Sequence, residues 1–173
     1  MFLDHAFERG APHVTVVVIK LTFLVELLAK TFWPGPLTLV VRKTPSSPIC
    51  DLATAGLDTV ALRVPAGPVM RFLSEKTGVP LAAPSANISG RVSTTSADAV
   101  AADLSEALSY LVDAGPCRVG IESTIVSCVD ETPRLLRPGG IAREDIERVI
   151  GRPLERPADA PTPAAPGMLS SHY

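Results

Sequence analysis

Apolar positions along this chain fall into short β-branched runs separated by stretches with a helical repeat. Val14 to Ile19 is continuous and β-branched, the pattern of a buried strand. Leu21, Leu24, Val25, Leu27 and Leu28 then recur at helical spacing, predicting a short amphipathic helix over 21–30 that must stop before Trp33-Pro34-Gly35-Pro36. Leu37 to Val41 reads as a strand, 44–58 as a loop, and Thr59 to Pro65 as a third strand. A helix follows over 67–77, with Gly78 as its C-terminal cap. The apolar run Val79 to Ala83 predicts a buried strand that empties at Pro84 into a polar loop, because proline cannot donate to a sheet ladder.

Beyond Gly90, Thr95-Ser96-Ala97-Asp98 carries a helix-start signal, and the Ala- and Leu-rich run to Leu108 predicts a helix. Tyr110 to Asp113 reads as a strand. Residues 123–129 and 134–137, joined by a short turn, predict a hairpin, and 143–150 a last helix stopped by Gly151. Strands alternating with helices give an α/β fold, a twisted mixed sheet with flanking helices. The expected division is one domain over 1–151 and a Pro/Ala-rich tail over 152–173 that packs little.

Composition narrows the function. Hydrophobic residues make up 46%, enough for a core, and the net charge is −2, so no global field attracts a polyanion. Cys50, Cys117 and Cys128 lie far apart, and with His5, His13 and His172 they form no metal-ligand spacing and no disulfide framework. A reduced, cytoplasmic setting is expected, with no membrane partner, because charges break the first ten residues and no run approaches the ~20 apolar residues of a span.

The candidate chemistry lies at strand ends: Thr59, Arg63, Ser85, Asn87, Ser93, Ser123 and Arg137. Taken locally, Ser85 and Asn87 after Pro84 are also ordinary turn chemistry, and Trp33 reads as a core anchor. Arg63, on a strand of Val, Ala and Leu, either reaches the surface or meets an anion. The sequence offers no acid pair and no nucleophile beside a base. Neutral donors and guanidiniums suit the holding of anionic oxygens, with catalysis by position and charge.

Five segments together resemble the YrdC-type threonylcarbamoyl-AMP synthase family: Phe-Trp-Pro-Gly-Pro-Leu-Thr-Leu at 32–39, Val-Ala-Leu-Arg-Val-Pro at 60–65, Ala-Pro-Ser-Ala-Asn-Ile-Ser-Gly at 83–90, Glu-Ser-Thr-Ile-Val at 122–126 and Leu-Arg-Pro-Gly at 136–139. The resemblance covers roughly residues 20–151 and implies a YrdC/RibB-like fold. Residues 165–173 are similar to the linker of the family's longer form. The resemblance also implies an enzyme, a nucleotidyltransferase, that joins L-threonine, bicarbonate or CO2, and ATP into threonylcarbamoyl-AMP, with Mg2+ accompanying ATP. The product serves tRNA modification at adenosine 37, alongside the other proteins of that pathway. By motif position it implies Thr59, Ser85, Asn87, Ser93, Arg137 and Tyr173, with His172 beside it, at ATP. It implies Arg63, Ala83 and Ser123 at threonine, with Arg63 gripping the carboxylate as a planar fork.

The family's opening segment, Pro-Thr-Glu-Thr-x-Tyr-Gly followed by Lys-x-Arg-Pro, has no counterpart here, so low or absent synthase activity is expected of this chain alone. Two other readings remain open. One is a non-catalytic remnant binding nucleotide or double-stranded RNA, with Arg134, Arg137 and Arg143 as its cations. The other, a carbamoyl-transfer domain of the hydrogenase-maturation kind, calls for zinc-finger-like cysteines that the chain does not carry.

Overall fold

Thr22 opens the first helix, its hydroxyl accepting the Val25 N–H at 3.4 Å. The structure is a computed structural model that describes residues 22–155; the expected strand at 14–19, His172 and Tyr173 lie outside the described residues. Helix α1 (Phe23–Phe32) turns Val25 and Leu28 into the core and ends where Trp33 leaves helical geometry. The Trp33 indole N–H donates to the Leu37 carbonyl at 2.7 Å, and the ring packs on the core, as expected of an anchor.

Four strands follow: β1 (Leu37–Arg42), β2 (Thr59–Leu62), β3 (Thr124–Ser127) and β4 (Arg134–Arg137). They lie in the order β2-β1-β3-β4. β1 is antiparallel to β2 and parallel to β3, and β3 and β4 form the expected antiparallel hairpin. One face of this mixed sheet, carrying Leu37, Leu39, Val41, Val60 and Val126, packs on α1 and on α4 (Arg143–Ile150), with Leu28 and Ile146 fully buried between them. Alternation in the strands thus meets a helical stripe, and the core forms on one side. Thr124, fully buried on that side, satisfies its hydroxyl by donating to the Ile141 carbonyl at 2.7 Å while accepting the Ile141 N–H at 2.9 Å.

The opposite face carries a smaller apolar group, Val40 and Ile125 with Val129 and Leu136. Helix α2 (Pro68–Thr77) forms where expected, closed by Gly78 in the left-handed region; α3 (Ala97–Leu104) is opened by Ser96 rather than Thr95 and stops short of the expected Leu108, passing into a 3-10 turn at Ser105–Ala107. Neither buries a residue.

Two expectations differ from the structure. Residues 79–83 and 110–113 are not strands, and Val79, Leu81, Tyr110, Leu111 and Val112 are exposed. An apolar run becomes a strand only when a neighbour completes its ladder, and among the described residues none does. The chain from Arg152 was expected to be unpacked, yet Leu154 is buried in the core and Glu155 bridges to Arg134. Arg143 and the Leu154 N–H both bond the Glu147 carboxylate, holding it below the usual carboxylate range.

Candidate functional site

Sheet register collects the polar strand ends. Leu39 pairs with Leu62, so one antiparallel step further Thr38 stands opposite Arg63. Thr38 in turn pairs with Ile125, and Ile125 with Arg137. Arg63, Thr38, Ile125 and Arg137 therefore form one row across all four strands on the face away from α1 and α4. With strands about 4.8 Å apart, the backbones of the two arginines stand about 14 Å apart, within joint reach of a small ligand. Ser123, two residues before Ile125, falls on the same face and shares a 2.8 Å hydrogen bond with Thr38.

Arg137 reaches this face because of an irregularity in the hairpin. Val126 pairs with Leu135, and continuing that register would pair Thr124 with Arg137 and turn the arginine toward the helices. A bulge between Ile125 and Val126 shifts it by one residue. Leu136 and Arg137 then both lie on the side away from α1 and α4, Leu136 against Val40 and Ile125, Arg137 against Ser123. The Arg137 guanidinium donates to the Ser123 carbonyl through Nε and to the Ser123 hydroxyl through Nη2, each at 3.0 Å.

Glu122 completes the cluster. Its carboxylate accepts the Ser93 hydroxyl at 2.5 Å and faces Arg137 Nη2 at 3.4 Å. Its backbone is clamped as well: the Gly140 N–H donates to the Glu122 carbonyl at 2.9 Å, and Gly139 lies so close that a Cβ there would collide with the backbone of Glu122, Ser123 and Thr124. Only glycine permits that approach.

Arg63 is set by the Pro-Gly turn. Its Nε donates to the Gly35 carbonyl at 2.9 Å, while the Gly35 N–H donates to the Val64 carbonyl at 2.8 Å. A Cβ at Gly35 would collide with the Phe32 carbonyl. With Nε on Gly35, the terminal nitrogens of the guanidinium make no hydrogen bond among the described residues and can take an anion. Partial desolvation is the leading cause that lowers the Arg63 pKa; Glu122 opposes it and Arg137 adds to it, so the charges of the row act on one another.

The other expected site residues divide. Ser93 joins the row through Glu122. Ala83 and Ser85 are exposed and make no side-chain bond to the row; Asn87 uses its Nδ2 on its own loop, donating to the Ile88 and Arg91 carbonyls at 2.9 and 3.0 Å, while its buried Oδ1 has no partner among the described residues. Thr59 is not brought in: it pairs with Arg42 at the far end of β2, four residues or about 13 Å from Arg63. That end holds a shallow polar depression lined by Lys43, Asp51 and Asp58, whose lysine is already paired with Asp51 at 3.1 Å. Thr38 and Glu122 were not singled out from the sequence, although both sit inside the recognised segments. Their signal was position, since each flanks a strand start that carries a hydroxyl neighbour.

No group of three His, Cys, Asp or Glu side chains able to hold a metal occurs among the described residues. A magnesium ion accompanying ATP would find one carboxylate at the row, Glu122, already holding Ser93 and facing Arg137. These residues do not form a protein cage for it.

Fold and site together define a mixed-sheet α/β protein that gathers two guanidiniums and the hydroxyls of Thr38, Ser93 and Ser123 at one end of the sheet face opposite α1 and α4. The model of the Sua5, YciO and YrdC family, described as telomere recombination, matches residues 11–139, and the chain belongs to that family. It is 47% identical over 152 residues to a threonylcarbamoyl-AMP synthase of Bacillus subtilis (strain 168), covering 86% of this chain and 43% of that protein. It is 48% identical over 152 residues to one of Pyrococcus abyssi (strain GE5 / Orsay), covering 86% of this chain and 44% of that protein. The crystal structure of P. abyssi Sua5 complexed with L-threonine superposes with a TM-score of 0.84 at 44% identity, over 92% of this chain and 48% of that one. The chain thus spans less than half the length of these relatives.

Proposed function

We propose that the Arg63–Arg137 row binds L-threonine and the phosphates of ATP for the synthesis of threonylcarbamoyl-AMP, a nucleotidyl transfer. Arg63 takes the amino-acid carboxylate with its terminal nitrogens, and Ser123 and the Ala83 backbone complete that subsite. Arg137 and Ser93 face the phosphates, with Ser85, Asn87 and Thr59 proposed around the nucleotide from motif position, and Tyr173 over it. In the reaction the threonine amine gives up a proton as it adds to CO2, or condenses with bicarbonate with loss of water, to give a carbamate. A carbamate oxygen then attacks the α-phosphorus of ATP in line, and pyrophosphate leaves. Magnesium on the departing phosphates would offset their charge. No side chain need form a covalent intermediate. The protein's part is to hold two anions together against their repulsion, the work of fixed cations and oriented donors. The product is proposed to serve adenosine 37 of tRNA, with the other proteins of that pathway as partners.

The observation that carries this reading is that four strands running in two directions bring Arg63, Thr38, Ser123 and Arg137, in or next to their ends, to one end of one face. The RNA-binding reading gains no support from the arginines proposed for it. Arg134 is paired with Asp130 at 2.8 Å and Arg143 with Glu147 at 2.6 Å, while the third, Arg137, is held on Ser123 and faces Glu122 at 3.4 Å.

Isothermal titration of the 173-residue chain with L-threonine, then with ATP in the presence of threonine and bicarbonate, tests the assignment. Saturable threonine binding at one site is the expected result, with threonine-dependent pyrophosphate release slow at most. Absence of threonine binding to the folded chain overturns it.

A further inference from the structure

The loop that carries Ser85, Asn87 and Ser93 belongs to a stretch, residues 66–121, whose two helices bury no side chain. Packing therefore fixes that stretch only weakly on the sheet. Among the described residues, the hydrogen bond that crosses from it to the sheet's flank is the one from Ser93 Oγ to Glu122 Oε1. The second oxygen of the same carboxylate faces Arg137, which Ser123 holds by two bonds. Glu122 itself is anchored through Gly140 and the close approach of Gly139. One carboxylate thus commits one oxygen to the loop and the other to the arginine row, from a backbone that cannot shift without opening the turn after β4.

We propose that Glu122 is a positioning residue that ties the Ser85–Ser93 loop to the Arg63–Arg137 row and sets the separation between them. A ligand spanning both, with a carboxylate at the arginines and a phosphate or sugar at the loop, then meets groups already in place. The neutral hydroxyl of Ser93 donating to a carboxylate is a charge-assisted bond, stronger than the neutral bonds within the loop itself. The identity of the ligand rests on the function proposed above; the tie between loop and sheet does not.

Hydrogen exchange read by mass spectrometry on the full chain tests it, comparing the parent with Ser93→Ala, Glu122→Ala, Glu122→Gln and the double alanine variant. Either alanine alone should speed exchange over 83–96 by roughly tenfold, the scale of one lost hydrogen bond to a charged group. The double variant should be no faster than either single one, and the peptides over 37–42 and 124–127 should be unchanged. Glu122→Gln keeps an acceptor for Ser93 and should restore most of the loop's protection. Unchanged loop exchange in both single variants, or acceleration that adds in the double variant, overturns the tie. Ser93→Ala, made in the loop away from the core, decides the question even if Glu122→Ala loosens the sheet.

Saturating L-threonine should slow loop exchange in the parent and fail to do so in Glu122→Ala. Slowing retained in that variant overturns the coupling. A folded parent that does not bind L-threonine overturns the proposed substrate, and the ligand-free comparison still decides the tie.

Discussion

Replacing Arg63 separates ligand grip from fold more cleanly than any other change in the site. Its Nε is spent on the Gly35 carbonyl at 2.9 Å, so the two terminal nitrogens are what a carboxylate can use. A bidentate grip gives two charge-assisted bonds. Each contributes about 1.5 kcal/mol, taking the lower end of the range because Arg63 is exposed and water screens the interaction. Lysine offers a single ammonium that cannot reach Gly35 and fork a carboxylate together. Arg63→Lys should therefore lose about one bond, roughly tenfold in the dissociation constant for L-threonine, and Arg63→Ala both, roughly a hundredfold. The fold should lose only the Gly35 bond, about 1 kcal/mol, a fall in Tm of a few degrees. Titration calorimetry with L-threonine, run beside a thermal melt of each variant, reads the two effects apart. If Arg63→Ala, still folded, binds L-threonine within twofold of the parent, the carboxylate is not held where the row places it and the reasoning fails.

Three further expectations concern the scaffold. Gly139→Ala drives a methyl into the backbone of Glu122, Ser123 and Thr124, where no rotamer change can relieve it. A urea melt should show a loss of about 3 kcal/mol, with threonine binding reduced alongside it. Leu154→Ala removes a side chain buried in the core and should cost about 3 kcal/mol by the same assay; an unpacked tail at 152–155 would leave the melt unchanged. Burial pushes the Cys128 thiol up to about 12, while Cys50 and Cys117 are exposed, so a thiol reagent at neutral pH should titrate two groups quickly and the third only after unfolding. Because the folded state keeps the Cys128 proton that the unfolded chain releases near pH 9, stability should fall as pH rises from about 9 toward 12. Cys128→Ala should flatten that alkaline decline, measured as the urea midpoint against pH.

Much of the scaffold was legible because local pattern and tertiary use agree. The stripe through Leu24, Val25 and Leu28 does face the core, the hairpin over 123–137 forms, and Gly78 and Gly151 close their helices in the left-handed region. Residues 79–83 and 110–113 read as strands because hydrophobicity and β-branching report what a segment could pair with, not whether a partner strand lies beside it. Leu154 hid in a run of prolines because a single apolar residue carries no period.

In the site, Arg63, Ser123 and Arg137 could be read from composition at strand ends, but what joins them could not. Thr59 shares a strand and a face with Arg63, and simple alternation made the two look equivalent, yet they lie at opposite ends of β2 and only one meets the row. Arg137 poses the opposite case. Counting from Leu135, alternation over 134–137 assigns it to the helix-covered face, and one extra residue in the β4 ladder reverses that. Glu122 follows from the same bulge: with Arg137 on the face away from α1 and α4, a guanidinium lies against the residues that precede β3, and a carboxylate there can both answer that charge and hold Ser93. The cluster is thus a product of strand direction and of one irregular pair, properties of the sheet as a whole that no stretch of the chain contains by itself.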